Sequence, residues 1–294
     1  MTIIVPTQES AHVWRFPSRI FNYNSGLIVS DDRVWLIDPG MAPDEVLAIR
    51  DFSQSNGWLV EAILVTHFHY DHILGVNAFE GPVVITQARF EQEIERMKSV
   101  SLEKINRLIQ EGEMTRPDWS LDVRSDWQVN RRQTFLIGTL EVDVIPLSGH
   151  TIDQIGIYVR EDRLLWAADT LSDLEIPLLS QSAGDYQKTL EKVSRLEVDT
   201  IVPGHGNPSH SRAESQERIS RDISYIKKLR TKVKEGIQKG LAVDAILQHC
   251  DEIEFPNRED NLTAHRWNVE MIFLEEGGKV EGRSLGWEKE WTPD

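Results

Sequence analysis

Four residues able to bind a metal ion fall within six positions: His67, His69, Asp71 and His72. Imidazole is the commonest metal-binding side chain and carboxylate is a hard oxygen donor, so this mixture suits zinc and its first-row neighbours. In an extended turn His67 and His69 can face one way while Asp71 and His72 face another. Two sets of donors aimed differently suggest two ions rather than one. A polar loop carrying histidines by chance is the competing reading. It is the weaker one, because three of the chain's nine histidines share this stretch and further donors of the same kind follow downstream.

These donors need a scaffold. The apolar run Ala62-Ile63-Leu64-Val65 reads as a buried strand, which makes the His-rich stretch the connection leaving it. The pattern recurs. His150 follows the alternating segment Leu140–Val144 by way of Ser148-Gly149; Asp169 follows Leu164–Ala168; His205 follows Thr200-Ile201-Val202 by way of Pro203-Gly204. Asp38 ends Val34–Ile37 at the turn Asp38-Pro39-Gly40, where it either caps the turn or holds a metal-binding His by a hydrogen bond. Chemically useful residues thus gather past strand ends flanked by Gly or Pro, the place where α/β architectures bind ligands.

Helices are expected between the strands: one opening at Pro43-Asp44-Glu45, one within 87–111, one over Tyr186–Leu196 and one over Leu262–Leu274. Residues 112–133, with Trp119 and Trp127, are long and irregular for a connection. Their tryptophans are expected to pack under a loop rather than form a lid. Beyond residue 210 the chain turns charged and helical. The run Lys227, Lys228, Arg230, Lys232, Lys234 reads as a solvated face in preference to an RNA-binding patch, and His265 as a packing residue.

Bulk properties narrow the function. A net charge of −16 opposes a general polyanion-binding surface, so nucleic acid is disfavoured as a substrate. No apolar run approaches the roughly 20 residues of a membrane span. Met1–Pro6 shows no basic-then-apolar leader, and the single cysteine, Cys250, fits a reducing cytoplasm and a buried small hydrophobe.

Taken together, His67-x-His69-x-Asp71-His72, Gly149-His150-Thr151, Ala168-Asp169-Thr170 and Gly204-His205-Gly206 resemble the signature of the metallo-β-lactamase superfamily, specifically its binuclear hydrolases. The resemblance covers roughly residues 20–207. It implies an α/β fold, an αββα sandwich of two similar halves, with a C-terminal helical extension. The expected layout is a catalytic domain over 1–210, carrying a helical or irregular insertion at about 87–133, and a helical segment over 211–294. By the same resemblance His67, His69 and His150 would hold one divalent ion, Asp71, His72 and His205 the other, and Asp169 would bridge them. Asp38 matches the strand-end aspartate of the family. The expected ions are two zincs, with iron or manganese as substitutes.

The implied reaction is hydrolysis of an ester, thioester or lactone of a small metabolite, by a hydroxide held between two divalent ions and with Asp71 managing the proton. Asp169 argues against cleavage of β-lactam antibiotics, because true β-lactamases generally lack that bridging aspartate. Leu171–Pro177 lacks the segment with which glyoxalase II helps bind glutathione. A ribonuclease or phosphodiesterase of the same fold and an iron-dependent persulfide dioxygenase are the rival enzymes. A binding module with a vestigial site should have lost donors. The expected setting is cytoplasmic, with a small-molecule substrate, no membrane, and a homodimer allowed.

Overall fold

Apolar strands, the central ones buried on both faces, build two sheets that face each other. In the computed structural model, which describes residues 4–279, the first sheet contains β1 (Thr7–Gln8), β2 (Val13–Pro17), β3 (Asn24–Ser30), β4 (Arg33–Ile37), β5 (Leu59–Leu64), β6 (Val83–Gln87) and β7 (Trp127–Val129), in that lateral order. The second contains β8 (Gln133–Ile137), β9 (Leu140–Pro146), β10 (Ile155–Val159), β11 (Leu164–Ala168) and β12 (Thr200–Pro203), ordered β12-β11-β10-β9-β8.

Side chains two apart on a strand share a face, and the core follows that rule. Trp35 and Ile37 of β4, Ala62 and Leu64 of β5, Ile155 and Ile157 of β10, and Leu164 and Trp166 of β11 meet between the sheets. The alternate residues face outward, to helices. Val34, Leu36 and Ile63 pack with Ile49 of α1 (Pro43–Ser55); the same outer layer holds Phe68, just ahead of the one-turn helix α2 (Tyr70–Ile73), and Phe90 and Met97 of α3 (Phe90–Glu111). On the far side Leu165 and Ala167 pack with Tyr186 and Leu190 of α4 (Ala183–Val193). That layer is shared by α5 (Arg212–Gln238), α6 (Val243–Cys250) and α7 (Leu262–Glu275), through residues such as Leu229, Ile246 and Ile272. The fold is therefore the expected αββα sandwich with a C-terminal helical region.

Its two halves repeat one connectivity. Antiparallel β3–β4 continues through α1 into β5, parallel to β4; antiparallel β10–β11 continues through α4 into β12, parallel to β11. Asp38 and Asp169 leave equivalent strands, and so do His67 and His205. The halves are stitched where these ends converge. Ile155 donates its N–H to the Thr66 carbonyl at 2.8 Å, and Asn24 donates to the Gly204 carbonyl at 2.7 Å.

Local chemistry accounts for most boundaries and for some departures. Asp31 and Asp32 turn β3 into β4 with φ of 50° and 60°, the primed geometry that suits a right-twisted hairpin. α4 begins three residues ahead of Tyr186 because Ser182 accepts a hydrogen bond from the Asp185 N–H and caps the first turn. Leu196 lies past the end of that helix. α5 is capped by Ser211, with Glu214 at the third helical position. Trp119 behaves as expected, donating its indole N–H to the Leu74 carbonyl at 2.6 Å. Trp127 does not. It shares a face with the buried Val129 and meets Phe135 edge-on at 6.4 Å, but it lies at the end of edge strand β7 and is 51% exposed. The final residues of the segment expected over 211–294, and the start of Met1–Pro6, lie outside the described residues. No helix among the described residues is long and apolar enough to cross a membrane.

Candidate metal centre

All seven expected donors meet at one edge of the sandwich. They form two groups, His67 with His69, His150 and Asp169, and Asp71 with His72 and His205; within each, one atom per residue lies within 4.8 Å of the rest. His67 and His69 come from the connection after β5. Asp71 and His72 come from α2, so this stretch is a loop closing into one helical turn, and the rings of His67 and His72 lie 4.0 Å apart, centroid to centroid. His150 follows β9, Asp169 follows β11, and His205 follows β12.

In the first group three ring nitrogens point at one another. His69 Nδ1 lies 2.9 Å from His67 Nε2 and 3.1 Å from His150 Nε2. Three imidazoles held this way in a dry site leave lone pairs facing each other. A tetrahedral ion with bonds of about 2.0–2.1 Å needs nitrogens about 3.3 Å apart, close to this spacing. Burial, followed by the charges of neighbouring groups, holds His67 and His69 well below the usual imidazole range, and burial lowers His150. Three neutral imidazoles are what metal binding requires.

The second group is rich in carboxylate. His205 Nε2 sits 3.2 Å from Asp71 Oδ2, and His72 Nε2 sits 3.2 Å from Asp169 Oδ1. Burial works to lower both imidazoles, but Asp169, Asp71 and Asp38 outweigh it at His72 and raise it well above its ordinary value. Asp169, Glu175 and Asp71 similarly push His205 up to about 10. Asp169 stands between the groups, with Oδ2 3.3 Å from His150 Nε2 and 3.6 Å from both His67 Nε2 and His205 Nε2. His72 Nε2 and Asp169 Oδ1 are buried without a hydrogen-bond partner. Such orphans normally signal a ligand, and the donor set fits two divalent ions.

The supports behind these donors are as ordered as the donors. Asp38 accepts hydrogen bonds from Thr66 N at 2.7 Å and Thr66 Oγ1 at 2.6 Å, and pairs with His72 Nδ1 at 2.8 Å. Of its two readings the hydrogen-bonding one matches the geometry. The Phe21 carbonyl accepts from His205 Nδ1 at 3.0 Å, which leaves Nε2 as the inward atom. Tyr23, fully buried, donates to the Asp38 carbonyl at 2.8 Å and sets its ring edge-on to His72 and His205. The backbone is bent to serve the site. Asp38 has φ of 44° and Ala168, just before Asp169, has φ of 49°, a region that non-glycine residues avoid.

Sequence reasoning assigned no role to Thr66, Tyr23, Lys104 or Glu175. Thr66 was legible only as a polar residue closing a buried strand, and Tyr23 carries no local signal at all. Three positions read as bland are so placed. His265 pairs with the Tyr225 hydroxyl at 2.9 Å, Cys250 is buried, and the basic run is met by acids, with Lys227 3.3 Å from Glu191 and Lys234 3.1 Å from Glu276.

Comparison with known proteins agrees with this architecture. The chain is 27% identical over 189 residues to the beta-lactamase-like protein 2 homolog of Drosophila melanogaster, covering 63% of this chain and 58% of that one. It is 28% identical over 183 residues to the hydroxyacylglutathione hydrolase of Rhizobium johnstonii, covering 61% and 60%. These matches therefore span less than two thirds of the relatives' length. Among solved structures, the stereoselective inverting sec-alkylsulfatase of a Pseudomonas species superposes with a TM-score of 0.74 at 14% identity, over 96% of this chain and 51% of that one. Residues 19–205 match the metallo-beta-lactamase superfamily, the stretch that holds all seven donors, and the chain belongs to that superfamily.

Proposed function

We propose that the protein is a metal-dependent hydrolase that cleaves an ester, thioester or lactone of a small metabolite in the cytoplasm, with zinc as the ion its donors suit best. The observation that carries this reading is Asp169, a carboxylate set between two complete donor groups. Two ions bound there would supply a water ionised near neutral pH and a Lewis acid for the electrophilic oxygen. The chain's own residues do the rest. Six side chains, three to a group, would hold the ions, and Asp169 lies between the groups. Asp71, 7% exposed, would take a proton from the attacking water and return it to the leaving atom. Asp38 and the Phe21 carbonyl hold His72 and His205 in the tautomer that presents Nε2.

Several relatives are hydroxyacylglutathione hydrolases, which supports the reaction class. The completeness of the second group speaks against a single-iron dioxygenase. The acid-paired basic run speaks against a nuclease.

The test begins with stripping the protein by a chelator and reloading it with zinc, iron or manganese. A panel of lactones, thioesters, phosphodiesters and single-stranded RNA is then assayed at two salt concentrations. Turnover of a carboxylic ester class should return with metal, and His69→Ala and Asp169→Ala should each cost about a thousandfold or more together with bound metal. Turnover that is indifferent to the chelator, or unchanged in either variant, would sink the reading. One tightly held iron and no second ion would favour the dioxygenase.

A further inference from the structure

α3 carries four cations, and three of them have acid partners: Arg96 with Glu93 at 2.6 Å, Lys98 with Asp122 at 3.2 Å and Arg107 with Glu111 at 2.8 Å. Lys104 has none among the described residues. Its side chain is half-buried rather than spread into solvent, and its ammonium lies 5.6 Å from the centroid of the Tyr70 ring. A half-buried ammonium without a counter-ion is costly, because burial disfavours its charged form. A ring face recovers only part of that.

The place of this charge is informative. Tyr70 is the residue before Asp71, and both lie on α2, which packs on α3. Ile105 and Leu108, the next residue and the next turn of α3, enter the same apolar cluster as Ile20, Tyr23 and Leu74, and the Tyr23 ring stands edge-on to His72 and His205. Burial lowers the pKa of this ammonium and the Asp71 carboxylate partly offsets that. An ammonium without an acid partner among the described residues therefore stands beside the helical turn that supplies Asp71 and His72.

We propose that Lys104 recognises an anionic oxygen group on the substrate, a carboxylate, sulfate or phosphate carried beside the bond to be cleaved. The substrate class narrows to acidic esters, thioesters or lactones. Closing the pair would give the half-buried ammonium a counter-ion, and a charge-assisted bond of this kind is worth about tenfold or more in affinity. The inference rests on the hydrolase reading for the word substrate, and its test is built to survive failure of that reading.

The probes are thiols that anchor on zinc and are not turned over: mercaptocarboxylates from mercaptoacetate to mercaptovalerate, the matching mercaptoalcohols, and mercaptoalkane sulfonates and phosphonates. Binding to the zinc-loaded protein is measured by calorimetry for the parent, Lys104→Gln and Lys104→Arg. The parent should bind at least one anionic series about tenfold tighter than the alcohols, and the series that wins identifies the anion. Lys104→Gln should lose that preference while binding the alcohols as before, and Lys104→Arg should keep it. Equal binding of acids and alcohols by the parent, or an undiminished preference in Lys104→Gln, would overturn the assignment. If Lys104→Gln weakens every thiol alike, or lowers thermal stability and metal content, Lys104 only braces Tyr70 and the proposal is again overturned. Preserved discrimination among thiols without turnover of any ester would leave the anion site standing and remove the hydrolase reading. A protein that takes up no zinc would remove both.

Discussion

Asp38 reaches from the end of β4 to the inner face of α2 and meets His72 Nδ1 at 2.8 Å, although 34 residues separate the two. The carboxylate accepts that proton, so when the imidazole gives up a proton to bind an ion it does so at Nε2. Asp38→Asn keeps the size and tolerates the φ of 44°, but it offers an amide N–H where an acceptor stood. His72 would then be driven toward the opposite tautomer, with a proton on the nitrogen that should bind metal. The expected outcome is a metal affinity lowered about 10–100-fold with secondary structure intact, measured by competition with a chromophoric chelator. An affinity equal to that of the parent would show that Asp38 only caps its turn.

Gly204 makes a different kind of contribution, by having no side chain. A Cβ there would lie 2.2 Å from Asp169 Oδ1 and 3.2 Å from His72 Cε1. Either the carboxylate turns away or the strand end shifts. Gly204→Ala should therefore strip Asp169 from its position between the groups, with loss of bound metal and about 1–3 kcal/mol of stability. Metal analysis and thermal unfolding read both effects. Full metal content in this variant would mean that Asp169 has other room to occupy.

A third expectation concerns pH and lies away from the metal centre. Asp222 of α5 is buried, with Oδ1 2.7 Å from Arg221 Nε and Oδ2 without a partner. Burial pushes its carboxyl up to about 6 in spite of Arg221 and Arg218, against an ordinary value of 3.8. Below the ordinary value both folded and unfolded chains hold the proton, and nothing is lost. As pH rises toward 6 the unfolded chain ionises first, so stability falls, and above the folded pKa the loss is complete. Asp222→Asn removes that loss. It should stabilise the protein by up to about 3 kcal/mol at pH 8 and by little at pH 4, as urea unfolding at the two pH values would show. A gain of equal size at both would mean that packing, not ionisation, separates the variants.

Much of this could be read from residues in a line. His67, His69, Asp71 and His72 declare a metal site because their spacing is local, and a strand ahead of them is declared by four apolar residues. His150, Asp169 and His205 are legible as donors because each follows a strand and touches Gly or Pro. Each of those signals spans fewer than about ten residues, the range over which periodicity and turn chemistry act. The one-turn helix that aims Asp71 and His72 was not legible, since four residues are too few for a helical period to show.

What only the folded chain decided is which partners stand behind and around the donors. Tyr23 under His72, the Phe21 carbonyl at His205, Gly204 against Asp169 and Lys104 over Tyr70 join residues brought together by two sheets closing on each other. Nothing in the composition of those segments marks them. Contacts between distant segments depend on register and on the angle at which layers pack, and a one-residue slip would turn every such side chain to the opposite face. The sequence by itself pointed to a metal site and named its donors. The tertiary structure decided how those donors face one another and which residues stand behind them.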